Sequence, residues 1–199
     1  ARQFREDAGP LAHNVRPDSY VEINNFYTAT VYEKGAEVIG MLHRLVGAQE
    51  YRAALDEYFR RHDGQACTIE DWLAVFEDVT RRDLSQFKRW YTQAGTPRVS
   101  ARWARTGGTL KMTLAQELPE TPGQPLKEPV VIPVALGLLA PDGTELLPET
   151  LVVLDGPETE LEFDIAGMAE RAGVAMPERV IPSLLRGFSA PVILDAPLS

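Results

Sequence analysis

The feature that most constrains the fold is a change in the spacing of apolar residues at Thr96-Pro97. Before it, apolar positions recur at three- and four-residue steps, the spacing that lines one face of a helix. After it, short apolar segments are broken by Gly and Pro, the pattern of strands joined by turns. A chain that switches once in this way is neither all-helical nor all-strand. The expected class is α+β in two domains: an antiparallel α-helical bundle over 1–96, followed by an antiparallel β-sandwich over 97–199. A length of 199 residues suits one average domain or two small ones, so the split rests on the change of rhythm and not on size.

The helical part divides by its stop signals. From Tyr32 to Val46, the residues Ala36, Val38, Ile39, Met41, Leu42, Leu45 and Val46 form one stripe, and Gly47 supplies a left-handed stop. A second helix is expected from Ala48 to Arg61, with Tyr51, Leu55, Tyr58 and Phe59 on one face and basic residues before His62-Asp63-Gly64. Thr68 caps a third, with Asp71 completing a shortened capping box ahead of Trp72, Leu73, Val75, Phe76 and Val79. A fourth, short helix begins near Asp83 or Leu84, carries Phe87, Trp90 and Tyr91, and stops at Gly95.

Strands are expected over 98–103, 110–116, 130–139, 151–154, 161–163 and 192–194. Pro133 must lie at an edge, a bulge or a strand start, because it has no amide to donate to a ladder. Pro141-Asp142-Gly143-Thr144 reads as a turn, and the Pro-rich stretch from Leu118 to Pro129 as a surface loop.

A formal charge of −9 argues against nucleic acid, whose affinity needs clustered Lys and Arg. Cys67, the single cysteine, requires no oxidising compartment and reads as a packing residue, so a cytoplasmic setting is expected. The start, Ala1-Arg2-Gln3-Phe4-Arg5-Glu6-Asp7, has neither an initiator Met nor the apolar core of a signal peptide, and reads as a cut inside a longer protein. No apolar run approaches the roughly 18 to 20 residues of a membrane span.

The sequence holds no His-Glu-x-x-His, Cys-x-x-Cys, Gly-x-Ser-x-Gly or Gly-rich phosphate loop. His13, His43 and His62 never recur at the four-residue interval that would aim two imidazoles at one metal, so no metal site is expected within the chain. The most distinctive run is Ile23-Asn24-Asn25-Phe26-Tyr27-Thr28-Ala29-Thr30-Val31-Tyr32-Glu33-Lys34-Gly35-Ala36, where aromatic, amide and hydroxyl groups gather at a helix start. Read from the residues alone, Phe26 and Tyr27 are core, Thr30 is a cap and Glu33 favours the first turn through the helix dipole.

Asn24-Asn25-Phe26-Tyr27 with Val31-Tyr32-Glu33-Lys34-Gly35-Ala36-Glu37-Val38 resembles the gluzincin aminopeptidases of the aminopeptidase N family, in their bacterial form. The likeness continues through Tyr58-Phe59-x-Arg-His62-Asp63-Gly64, Phe87-x-Arg-Trp90-Tyr91-x-Gln93-x-Gly95-Thr96-Pro97 and Gly187-Phe188-Ser189-Ala190-Pro191-Val192, and so spans nearly the whole chain. The resemblance implies the later part of a thermolysin-like catalytic domain followed by the family's small β-sandwich domain. The family's zinc-binding His-Glu-x-x-His, its downstream Glu and its Gly-x-Met-Glu-Asn exopeptidase motif are not in this sequence. The Tyr matching Tyr32 donates its phenol in the family to the oxygen of the tetrahedral intermediate, and Asn24 and Tyr27 match residues lining the pocket for the substrate's first side chain.

The implied function is therefore that of a piece of a zinc aminopeptidase that removes N-terminal residues from peptides. Zinc would belong to the whole enzyme and none to this chain, which would be inactive alone. The alternative is a non-catalytic sandwich that binds a partner or acts as a spacer. Expected partners are peptide substrates of the whole enzyme, not nucleic acid or membrane. Self-association is expected through an apolar patch around the first two helices.

Overall fold

A computed structural model describes residues 2–184 and 191–196. The chain divides into two compact units, one of residues 1–94 with 121–124 and one of 95–120 with 125–199.

The first unit is helical: α1 (Arg2–Asp7), α2 (Gly35–Val46), α3 (Ala48–His62), α4 (Ile69–Thr80) and α5 (Arg89–Thr92), with a 3₁₀ turn over Ile23–Phe26 and a π turn over Thr30–Lys34. Gly47 separates α2 from α3 at φ 85°, a value open to glycine and strained for other residues. At the start of α4 the Thr68 hydroxyl accepts from the Asp71 amide at 3.1 Å, and the Asp71 carboxylate accepts from the Thr68 amide at 2.8 Å. The shorter Asp thus closes the same reciprocal box that Glu usually closes. Apolar stripes meet in an aromatic cluster between α3 and α4, with Trp72 4.5 Å from Phe76, Tyr58 5.0 Å from Trp72 and Tyr51 5.3 Å from Phe76. Pairs at these distances add to the stability that area burial alone supplies.

Three expectations for this unit need correcting. The helix expected from Tyr32 begins with the π turn, and α1 forms in a stretch where no helix is expected. The fourth helix shrinks to α5, because residues 85–88 form turns before Trp90 and Tyr91 are buried.

The second unit holds β1 (Arg98–Thr106), β2 (Thr109–Glu117), β3 (Ile132–Leu139), β4 (Glu145–Leu154), β5 (Glu158–Asp164), α6 (Ile165–Ala172), β6 (Ile181–Leu184) and β7 (Ile193–Asp195). One sheet has the order β5-β2-β1-β7 and the other β4-β3-β6. Pairing is antiparallel except between β1 and β7, which run parallel with Arg98 opposite Ile193. That pair departs from the expected antiparallel pattern, since a strand so far along the chain can return from either direction. On β2, Leu110, Met112 and Leu114 are buried while Lys111 faces solvent, the alternation that sends one face to the core. Each such residue contributes about 1.5–3 kcal/mol by leaving water. Pro133 is the second residue of the central strand β3, opposite Val153, so its missing amide falls at a strand start.

Gln116 joins distant backbone in this unit. Its side-chain amide donates to the Val130 carbonyl at 2.9 Å and the Gly156 carbonyl at 2.8 Å, while its oxygen accepts from the Val130 amide at 3.0 Å. Val130 is 1% exposed, so water cannot replace the two bonds to its backbone, whereas Gln116 and Gly156 are half-buried. Gln116→Leu should cost at least about 2 kcal/mol in urea melts, because each buried polar group stranded without a partner costs roughly 1–3 kcal/mol. A loss below about 0.5 kcal/mol would show that the backbone rearranges to satisfy itself.

The stretch expected as a surface loop turns partly inward. Thr121 and Gln124 exchange backbone hydrogen bonds, and the Gln124 side chain accepts from the Ala94 amide and donates to Asn14 Oδ1 and the Thr92 carbonyl. Among the described residues, no helix is long and apolar enough to cross a membrane.

Candidate functional site

The run that stands out in the sequence folds into two irregular turns, the 3₁₀ turn and the π turn, that precede α2. In the π turn the Gly35 amide is shared between the Thr30 and Tyr32 carbonyls. Such a turn inserts one extra residue into a helical path, a rare geometry that is frequent at functional sites. It sorts its own side chains: Thr30 and Lys34 are fully buried, Val31 is half-buried, and Tyr32 is 62% exposed.

Side chains from the start of the chain hold this turn. The Glu6 carboxylate accepts from both the Thr30 amide at 2.8 Å and its hydroxyl at 2.6 Å. Thr30 therefore does not cap a helix with its own oxygen, as expected, but donates to an acid on α1. Burial pushes the Glu6 carboxyl up, yet hydrogen bonds from Thr30 and Ala29, with His13 3.7 Å away, outweigh it and hold the group below the usual carboxylate range. Lys34 Nζ lies 2.9 Å from Asp7 Oδ2, with both side chains sealed from solvent. Desolvation lowers the Lys34 pKa, and the Asp7 charge and hydrogen bond oppose that shift. Gln3 donates its backbone amide to Glu33 at 3.2 Å and its side-chain amide to Asp7 at 2.7 Å.

The structure brings Tyr27 and Tyr32 together, with ring centroids 6.1 Å apart and planes inclined by 30°. Tyr27 is 57% exposed, which corrects its reading as core, and Phe26 is half-buried between Tyr20 and Tyr27 at 5.7 and 5.8 Å. Asn24 sits exposed on the 3₁₀ turn that leads into Tyr27. The apolar and aromatic side chains Tyr20, Val21, Ile23, Tyr27, Tyr32 and Ile39 are all exposed within this one stretch, a grouping of the kind that marks interaction or ligand sites.

Tyr32 also lines a cleft of about 810 Å³ with Phe26, Ile39, Tyr58, Cys67 and Trp72. Two charged residues of its lining, Arg16 and Glu70, form an ion pair at 2.5 Å, and Lys88 adds a second contact to Glu70 at 2.8 Å. Hydrogen bonds from Lys88 and then Arg16 hold the Glu70 carboxyl down at about 2. A cleft with apolar walls and few polar groups suits a small organic ligand or side chain.

The histidines do not converge. His13 faces Glu6 and the Asn14 carbonyl, His43 packs edge-on against Tyr51 at 4.7 Å, and His62 packs against Tyr58. Among the described residues no group of three or more His, Cys, Asp or Glu is placed to hold a metal ion, so the residues present do not fit a zinc site. Sequence reasoning missed Glu6, Asp7 and Gln3 as supports. The signal was present as two acids and an amide at the three-to-four spacing of one helical face, but no apolar stripe marked α1 as a helix.

Comparison with known proteins gives two family matches. Residues 1–91 match the peptidase family M1 domain, and residues 95–197 match a domain of unknown function (DUF3458) with an Ig-like fold. The chain is 51% identical over 197 residues to aminopeptidase N of Caulobacter vibrioides and 41% identical over 201 residues to that of Escherichia coli K12, covering 98% and 97% of this chain. It spans 22% of the length of each of these relatives. A crystal structure of Legionella pneumophila aminopeptidase A in complex with aspartic acid superposes with a TM-score of 0.79 at 27% identity, over 94% of this chain and 20% of that one. The resemblance carried by Gly187-Phe188-Ser189-Ala190 lies outside the described residues, whereas the Tyr32 and Tyr58 motifs lie within them. Each of the two units has its own family match, and aminopeptidase N relatives align with nearly the whole chain: the chain belongs to the aminopeptidase N family of M1 peptidases.

Proposed function

We propose that this chain is the part of a zinc aminopeptidase that supplies the transition-state hydrogen bond and one wall of the substrate pocket, in an enzyme that removes N-terminal residues from peptides. The observation that carries the reading is Tyr32, whose phenol is exposed beside Tyr27 on a turn whose first and last residues are locked into the core. In this reading residues 1–96 form the helical end of a thermolysin-like domain and 97–199 an immunoglobulin-like sandwich.

The chemistry assigned to the chain's own residues is limited and specific. A neutral phenol donates its O–H to a carbonyl oxygen as negative charge gathers there, an interaction stronger in the transition state than in the ground state. Tyr27 and Asn24 contact the first side chain of the peptide, the ring by its apolar face and the amide by hydrogen bonds. M1 aminopeptidases are zinc enzymes, and their metal would have to be held by residues other than those described here. The setting proposed is cytoplasmic, and copies of the isolated chain would associate through an apolar patch around the first two expected helices, where Tyr32, Ile39 and Phe59 are exposed.

The test is turnover of aminoacyl-anilide substrates. A full-length enzyme containing this sequence should release the N-terminal residue, and the 199-residue chain should not. Turnover by the chain alone, or stoichiometric zinc bound to it, would overturn the division of labour proposed here.

A further inference from the structure

The π turn is gripped at both ends by one short helix. Within α1, Glu6 takes the hydroxyl and amide of Thr30, the first residue of the turn, and Asp7 pairs with Lys34, the last. Gln3 sits one turn earlier, bonded to Asp7 and to Glu33. The two polar side chains that the turn buries therefore both have partners on α1, while Tyr32 points away to solvent. An ammonium and a carboxylate sealed from water are costly to bury, and an apolar pair of similar size would fill the same space at no such cost. An apolar pair, however, could slide. An ion pair at one end and a two-fold hydrogen bond at the other fix which residue occupies which position, much as a single buried polar residue fixes register in a coiled coil.

We propose that Asp7, Lys34, Glu6 and Thr30 are positioning residues for the Tyr32 phenol: they hold the helical path in its π register, whose extra residue sets the direction in which Tyr32 emerges. The relaxed alternative is ordinary α-helix from Thr30 onward, with one residue absorbed into the preceding loop. That slip turns the Tyr32 side chain by about 100°, the angle per residue of a 3.6-residue turn, and moves its hydroxyl by several ångströms. Misplacement of a reacting group by even 1 Å can cost on the order of 10²-fold in rate. The inference rests on the reading of Tyr32 as a transition-state donor, and the test separates the two.

In the full-length enzyme, two variants release one anchor each without leaving a lone buried charge. Thr30→Val removes the hydroxyl bond to Glu6, and Asp7→Asn with Lys34→Met neutralises the ion pair while keeping its shape. Each should lower kcat about 10-fold or more with KM changed less than about threefold, because positioning of a transition-state contact is lost and ground-state binding is not. Thr30→Ser, which keeps the hydroxyl, should recover most of the rate. In a Tyr32→Phe background the same substitutions should cost less than about twofold further, since residues acting through one group are not additive. Hydrogen exchange of the Gly35 amide, which the π turn shares between two carbonyls, should quicken in both variants whether or not the enzyme is loaded with metal.

The outcomes are distinct. A near-normal Tyr32→Phe enzyme overturns the reading of Tyr32 and the inference with it. A slow Tyr32→Phe enzyme beside normal Thr30→Val and Asp7→Asn/Lys34→Met enzymes overturns the inference alone. So do equal losses in the two backgrounds, which would mean that these residues act elsewhere than through Tyr32.

Discussion

Replacing Tyr32 by Phe in the full-length enzyme should lower kcat about 10²- to 10³-fold, the loss seen when one donor to a developing oxyanion is removed. KM should change little, because the hydrogen bond forms only as charge appears on the oxygen. The structure makes this substitution clean. Tyr32 is 62% exposed and its ring leans on Tyr27 at 6.1 Å, a contact that Phe keeps. The hydroxyl alone is lost, from a side chain that is mostly exposed in the 199-residue chain. The melting temperature of the 199-residue chain should therefore stay within a degree or two of that of the unmodified chain, since exposed substitutions usually fall within about 0.5 kcal/mol. Initial rates on an aminoacyl-anilide, with active enzyme counted by titration, decide the matter. A rate within about fivefold of normal would remove Tyr32 from the chemistry.

How much of this can be read from the sequence depends on where the determining signal lies. Helix α4 is fully legible, since Thr68, Asp71 and the stripe Leu73, Val75, Phe76 all lie within a dozen residues of one another. Strand β2 is legible for the same reason, with its alternation Leu110, Met112, Leu114. Helix α6 is not, although Asp164 caps it by accepting from the Gly167 amide at 3.0 Å and Gly173 ends it at φ 69°. It lies between strands, and two turns of helix are too short for their period to stand out. Strand β6 carries Pro182 in four residues and is defined by pairing with β3, not by its own composition. The parallel pairing of β7 with β1 likewise belongs to topology and leaves no local trace.

The candidate site divides along the same line. Tyr32, Tyr27 and Asn24 are visible as a motif, whereas the π turn depends on Glu6, Asp7 and Gln3, more than twenty residues away in sequence. A π turn has no composition of its own. It exists because something outside it holds the extra residue in place, so no window on residues 30–34 could reveal it. The burial of Lys34 is hidden for a further reason. A lysine in a helix start reads as solvated, and only its partner makes the sealed position tolerable.

That partner gives the largest expected effect on stability. Lys34→Met alone should destabilise the helical unit by about 3–5 kcal/mol, because it leaves the Asp7 carboxylate charged in a site 1% exposed to solvent. Asp7→Asn combined with Lys34→Met should recover most of the loss, since an uncharged pair of the same shape owes no desolvation penalty. Urea melts followed by the helical circular-dichroism signal would measure both, with the midpoint moving far in the single variant and little in the double. A single variant within about 1 kcal/mol of the unmodified chain would mean that Asp7 takes up a proton or finds water once Lys34 is gone. Recovery of stability in the double variant carries a further consequence. If the neutral pair is as stable as the charged one, the ion pair is not there to hold the fold together, and the difference between the two chains must lie in which register the turn adopts. Stability and kcat would then part company in one variant, with the fold intact and the phenol misplaced.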